Sequence, residues 1–181
     1  VTAGQREKNL LKGYLTLNRI NTYIRSIESS VGIEFPGNLN IRFQFMKSIN
    51  SERTFAIYYP LEDFIGIVLI PFTSAEGTEL NTKVLDNSIM HELGHLYITK
   101  RLDKLGKPQS YKRLIRLPVG ENLIHEGIAE YIARKSSGID KDSFKDSQYR
   151  TLLMKKQLTE KEEIKLFYEG GYHLVKPIIA E

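Results

Sequence analysis

The sequence predicts one α+β domain, in which a small group of strands lies between an early helix and a set of later helices. Two patterns predict this fold class. Aromatic and β-branched residues are concentrated between positions 40 and 72, as is typical of strands. Apolar residues recur every three or four positions in most of the remaining chain, which is the period of an amphipathic helix. Strands and helices do not alternate, and 181 residues are typical of a single domain.

The first element is an N-terminal helix within residues 1–30, where apolar positions recur with helical spacing. Three strands follow within residues 40–72. In the first of them, the apolar residues Ile41, Phe43 and Phe45 occupy every second position, which is the period of a half-buried strand. We expect these strands to form a small, mainly antiparallel sheet that packs on the next helix.

Three helical regions follow the predicted sheet: residues 86–102, residues 120–135 and residues 142–179. Asp86 or Asn87 is expected to cap the first of them, since a short polar side chain can accept a hydrogen bond from a free backbone N–H. A basic connector, residues 103–118, separates the first two regions. The last region is predicted to hold more than one helix and to be interrupted at Gly170 and Gly171.

Composition narrows the function. The chain has no cysteine, which excludes thiolate metal sites, thiol nucleophiles and disulfides. Its net charge of +4 is too small to require a nucleic-acid partner. The longest nearly apolar run, Phe64 to Phe72, is far shorter than the roughly 20 residues of a membrane helix. We therefore expect a soluble protein, cytoplasmic or secreted, and because the chain opens at Val1 its N-terminus is compatible with processing.

The segment His-Glu-Leu-Gly-His at residues 91–95 is the first candidate site. Positions four apart lie on one face of a helix, so His91 and His95 can point at a single metal ion. In this spacing, the carboxylate beside the first histidine, here Glu92, contacts a metal-bound water instead of the metal. The alternative is that both histidines are ordinary packed side chains.

A third ligand is expected on the next predicted helix. Glu126 and Glu130 lie four apart on one face of it, and buried helices seldom keep two such carboxylates without partners. A metal ion would satisfy Glu126, and a histidine N–H would satisfy Glu130. His125 lies about 100° around the helix from Glu126, so it is expected to point away from the metal and to be structural.

Together, H-E-x-x-H and the downstream E-G-x-A-E-Y resemble the gluzincin clan of zinc metallopeptidases. The resemblance implies a zincin-like fold with one Zn²⁺ per chain. It implies His91, His95 and Glu126 as the zinc ligands, Glu92 as the general base and Glu130 as the support behind the ligands. The two motifs are farther apart than is usual for this clan, so the connector would be an insertion that loops away from the metal.

A third motif, Tyr168-Glu169-Gly170-Gly171, resembles the Y-E-x-G sequence of gluzincin aminopeptidases. The resemblance implies that the Tyr168 hydroxyl stabilises the oxyanion of the reaction. Tyr172 and His173 lie close enough in sequence to be alternatives.

The aminopeptidase branch also carries an acidic segment before the zinc helix, which binds the free amine of its substrate. The apolar segment Gly66–Ile70 stands at the corresponding place and has no acid. It is expected to offer a strand edge to an extended peptide, a binding mode that does not depend on a chain terminus. The sequence therefore predicts zinc-dependent hydrolysis of peptide bonds in a peptide or protein substrate, by an endopeptidase.

Two other functions stay open. The chain can be a latent or inactive zincin that acts as a binding or regulatory module. It can also be a basic nucleic-acid-binding domain, because seven basic residues stand between positions 100 and 116. Nucleic acid is not the expected partner, since this stretch lacks the interleaved aromatic residues of single-strand binders. The oligomeric state is not predicted.

Overall fold

The computed structural model describes residues 3–32, 34–35, 41–46, 56–59, 64–68, 80–105, 119–139, 142 and 144–179. It confirms a mixed architecture of the α+β class, with helices around a small sheet. The strands are β1 (Arg42–Met46), β2 (Ala56–Tyr59) and β3 (Phe64–Val68). The α-helices are α1 (Ala3–Tyr14), α2 (Leu17–Val31), α3 (Thr82–Lys104), α4 (Val119–Ser136), α5 (Asp146–Leu153), α6 (Glu160–Ile164) and α7 (Gly171–Ile179), and a π-helix (Lys165–Gly170) joins α6 to α7.

The N-terminal region holds two helices, so the prediction of one helix within residues 1–30 was wrong. The break comes at Thr16, whose extended backbone and side chain cap α2 by accepting a hydrogen bond from the backbone N–H of Arg19. Helical periodicity continues across this break, which is why the sequence pattern did not reveal it.

Asp86 ties the N-terminal helices to α3 instead of capping it. Its carboxylate accepts hydrogen bonds from the hydroxyls of Tyr14 and Tyr23 and pairs with Arg19 at 2.9 Å. The cap of α3 is Asn81, whose side chain accepts from the backbone N–H of Val84 at 3.3 Å. The predicted cap at Asp86 or Asn87 was therefore five or six residues too late.

The sheet is mixed, with the strand order β1-β3-β2. β3 pairs antiparallel with β2 but parallel with β1, so the expectation of a mainly antiparallel sheet was wrong. β2 and β3 are neighbours in sequence and form the antiparallel pair, whereas β1 joins the far side of β3. As a result β3 is the central strand of the described sheet, and Gly66 does not lie on an edge. Residues 69 and 70 lie outside the described residues.

Helix α4 packs closely against α3 on one side and α7 on the other. A Cβ added at Gly94 would lie 3.0 Å from Cα of Ala129, and one added at Gly127 would lie 2.3 Å from the carbonyl oxygen of Gly171. Small residues at these crossings allow the helix backbones to approach.

The main core lies around α2, α3, α4 and the sheet. A smaller core joins α4 to the C-terminal helices and contains Leu123, Phe144, Leu152 and Leu166.

The C-terminal region runs helically through Gly170 and Gly171, so the predicted interruption there was wrong. Gly171 has φ −62° and ψ −47°, which is ordinary helical backbone. Gly171 is needed for space, because a Cβ on it would lie 2.5 Å from the carbonyl oxygen of Leu123.

The basic connector is described only in part. Its first residues continue α3 as far as Lys104, and residues 106–118 lie outside the described residues. In the described part of the chain, no helix combines the length and apolarity that crossing a membrane requires.

The helix crossing at Gly127 yields a first prediction. Gly127→Ala is expected to lower the free energy of unfolding by about 3 kcal/mol or more, because the new methyl group meets backbone atoms that cannot move aside. Gly120→Ala in the same helix is the control. An added Cβ there meets no atom of the described residues within 4 Å, so stability should stay equal or rise by up to about 1 kcal/mol. Urea denaturation followed by circular dichroism measures both, and equal stabilities for the two variants would contradict the packing described.

Candidate metal centre

Helix α3 places the two histidines of the first motif on its face toward α4. The side chain of His91 is buried, and that of His95 is mostly buried. Their Nε2 atoms are 3.1 Å apart, and their rings meet edge to face with centroids 4.8 Å apart. The four-residue spacing predicts this arrangement on any α-helix.

Helix α4 brings Glu126 to the same point. Its Oε2 lies 3.2 Å from Nε2 of His91 and 3.4 Å from Nε2 of His95. The three ligand atoms therefore form a nearly equilateral triangle. Because the closeness of the two helices at Gly94 and Ala129 sets this separation, the triangle follows from the backbone packing.

The triangle has the dimensions of one face of a metal coordination shell. A tetrahedral ion with bonds of about 2.05 Å separates its ligand atoms by about 3.3 Å. The donors are two imidazole nitrogens and one carboxylate oxygen, a set that suits first-row transition metals. His91, His95 and Glu126 can hold a metal ion.

The pKa values of His91 and Glu126 show which positive charge a bound cation would replace. Burial lowers the pKa of His91, but its hydrogen bonds to Glu126 and Glu130 outweigh this effect and raise the pKa to about 10. Burial alone would raise the pKa of Glu126, but the neighbouring His95 and His91 more than reverse this effect. The pKa of Glu126 therefore lies well below its usual range, and the carboxylate stays ionised. A proton on His91 thus supplies the positive charge that a metal ion would supply.

Behind the triangle, Glu130 holds His91 from its other side. Oε2 of Glu130 accepts a hydrogen bond from Nδ1–H of His91 at 3.2 Å, and this leaves Nε2 free to face a metal. The other oxygen of Glu130 accepts from Nε of Arg134 at 2.6 Å. Nη2 of Arg134 in turn donates to Glu169 at 2.8 Å. The sequence motifs assign a role to Glu130 but none to Arg134 or Glu169.

Glu92 is held beside the triangle by the sheet. Its side chain is buried, and Oε2 accepts a hydrogen bond of 2.6 Å from the backbone N–H of Tyr58 in the edge strand β2. This bond uses one carboxylate oxygen and fixes the orientation of the other. Within the described sheet, β2 is therefore the edge strand near α3, whereas the sequence predicts an edge at Gly66–Ile70.

Tyr168 lies against the triangle, and the two alternatives to it lie elsewhere. The ring of Tyr168 stacks on that of His91, with centroids 5.0 Å apart and planes within 13°. Burial, followed by the charge of Glu126, raises the pKa of Tyr168 well above its ordinary value, so its hydroxyl remains a donor. Tyr172 is fully buried against Tyr131. His173 bonds with Asp142 and Asp146, at 2.8 and 2.6 Å.

His125 contacts one of the three residues of the triangle, His95, which the sequence does not predict. Its Nδ1 lies 3.4 Å from Nδ1 of His95, and the two rings are within 13° of parallel. Burial, followed by repulsion from His95, lowers the pKa of His125 to about 4 and keeps it neutral. His125 is not one of the three ligand residues, and it contacts the nitrogen of His95 that faces away from the triangle, because α4 lies so close to α3 that the flank of α4 also reaches this histidine. Its Nε2 is buried and has no hydrogen-bond partner among the described residues.

A cavity of about 970 Å³ opens beside the triangle. His91, Glu92 and Glu130 line one side of it, while the π-helix lines the other with Phe167 and Tyr168. A molecule in this cavity would reach Glu92 and His91 together.

Removal of the third ligand is expected to abolish tight metal binding. Glu126→Ala should weaken the affinity for Zn²⁺ by at least about 100-fold, because only two ligands remain. Asp103→Ala, which removes an exposed carboxylate from α3, should bind one ion per chain like the parent. Calorimetric titration and elemental analysis measure both, and equal affinities would show that Glu126 is not a ligand.

Metal binding is expected to release a proton from His91. The raised pKa of about 10 leaves this residue protonated at pH 7 in the metal-free protein, and a coordinating imidazole must be neutral. Affinity should therefore rise with pH, by about tenfold per unit between pH 6 and 8. Calorimetry at pH 7 in two buffers of different ionisation enthalpy should show close to one proton released per ion. An enthalpy that does not depend on the buffer would contradict this.

Comparison with known proteins adds no assignment to this site. The chain matches no protein-family model, no curated protein and no solved structure. The function is therefore inferred from the geometry and chemistry of the triangle and the residues around it.

Proposed function

We propose that the protein is a zinc-dependent peptidase of gluzincin type with a zincin-like catalytic domain. The observation that carries the proposal is the triangle of His91, His95 and Glu126, with Glu92 fixed beside it. Two histidines and one carboxylate, with a further coordination position open, are a donor set of catalytic zinc sites. The motif resemblance described above supports the same function.

Bound zinc would act as a Lewis acid and lower the pKa of water. Glu92 takes the proton of the attacking water and passes it to the leaving amine, as a general base and then a general acid. Its hydrogen bond to the N–H of Tyr58 holds it for this transfer. Tyr168 donates its hydroxyl proton in a hydrogen bond to the developing oxyanion, and its raised pKa keeps the hydroxyl protonated.

The substrate of the proposed enzyme is an extended peptide, and the cleavage is internal. β2 is an edge strand of the described sheet and contacts α3 beside the cavity. The N–H of Tyr58 is donated to Glu92, so a peptide would pair through other backbone groups along β2. Main-chain pairing with an edge strand recognises no chain terminus. This proposal keeps the predicted endopeptidase activity but moves the pairing edge from Gly66–Ile70 to β2.

Glu92→Gln tests the mechanism. The variant is expected to bind zinc like the parent, since Glu92 is not a ligand, and to lose hydrolysis by roughly 100-fold or more because an amide is not a base. Cleavage of a mixed peptide library, followed by mass spectrometry, measures activity, and elemental analysis measures zinc.

The control for this test is Asp103→Asn, the same chemical change at an exposed position of α3, which should keep full activity. Full activity of Glu92→Gln would refute the role of Glu92. A zinc-loaded parent that cleaves no peptide in the library would refute the peptidase and favour a binding or regulatory module.

A further inference from the structure

We propose that Arg134 and Glu169 are positioning residues that hold Tyr168 in place over His91. This inference rests on the proposed function, in which Tyr168 donates to the oxyanion. Its basis is a closed network of contacts that starts and ends at the imidazole of His91.

The first part of this contact network is polar and lies behind the candidate metal centre. From His91 it passes to Glu130 at 3.2 Å, to Arg134 at 2.6 Å and to Glu169 at 2.8 Å. The guanidinium of Arg134 also lies over the ring of Tyr172, 4.4 Å from its centroid, which restrains its plane. Arg134 is thus held between two carboxylates on different elements, α4 and the π-helix.

The second part of the contact network is the backbone of the π-helix. Glu169 and Tyr168 are consecutive residues there, and the phenol ring of Tyr168 stacks on the imidazole of His91. The same imidazole is therefore contacted at its edge by Glu130 and on its face by Tyr168. A shift of Glu169 away from Arg134 would move Tyr168 relative to the metal centre.

The exposure of these groups favours positioning over stability. The side chain of Glu169 is 35% exposed and that of Arg134 only 11%, so this pair is more open to solvent than the pair of Arg134 with Glu130 and is expected to contribute less to folding. A guanidinium can bind two carboxylates in fixed directions, which an ammonium cannot do. The pair therefore restricts where the π-helix lies more than it adds to stability.

A double-mutant cycle tests whether Glu169 acts through Tyr168. Glu169→Ala is expected to lower kcat by roughly tenfold with little change in KM, and zinc content should not change. In a Tyr168→Phe background, the same change should have no further effect, since the hydroxyl that Glu169 positions is gone. Glu169→Gln, whose amide oxygen can still accept from Arg134, should restore most of the activity. Equal losses in both backgrounds would overturn the proposal.

A second measurement does not depend on activity. In protein with ¹³C-labelled tyrosine, Tyr168→Phe identifies the Tyr168 ring signal, and Glu169→Ala should shift it because the ring leaves the imidazole face. The control is Lys155→Ala, which breaks an exposed ion pair with Glu162 and should leave the signal in place. An unmoved signal in Glu169→Ala would overturn the proposal. If the parent cleaves no peptide, the proposed function fails, and this signal alone decides whether Glu169 holds Tyr168.

Discussion

The close packing of α4 between α3 and α7 is the constraint on which the rest of the structure depends. At Gly94 and Ala129, and again at Gly127 and Gly171, there is no room for a larger side chain without backbone contact. These small residues lie inside or next to the motifs that carry the chemistry. The separation of the helices therefore brings the oxygen of Glu126 to within bonding geometry of two histidine nitrogens. A wider crossing would leave the same residues without a common ion.

This packing also has an electrostatic consequence. Ionisable groups that are taken out of water need partners of opposite charge. Glu130 obtains one from Arg134, whereas Glu126 faces two imidazoles whose nitrogens also face each other at 3.1 Å. In the metal-free protein a proton on His91 relieves this arrangement. A divalent cation relieves it more fully, because all three ligand atoms can then direct lone pairs at one charge. The three side chains can thus hold a cation.

The sequence predicts the parts of this site that depend on helical spacing alone. Residues four apart share a face in any helix, so the pairs His91/His95 and Glu126/Glu130 can be placed without knowledge of the fold. Alternation locates strands but not their order, and so the parallel pairing of β1 with β3 could not be foreseen. The contact of His125 with His95 depends on the distance between two helices. That distance is set by Gly94, which in sequence is indistinguishable from any other helical glycine.

The π-helix shows why Gly170 and Gly171 were misread as an interruption. A helix with i→i+5 hydrogen bonds is wider than an α-helix, and it is followed here by α7, which touches α4 backbone to backbone at Gly127. The end of the π-helix is therefore fixed to the helix that carries Glu126. Its side chains are fixed separately, Glu169 by Arg134 and Tyr168 by the face of His91. Three attachments to two helices leave this segment little freedom, so the small residues that resemble a break are what allow the ring of Tyr168 to be held against His91.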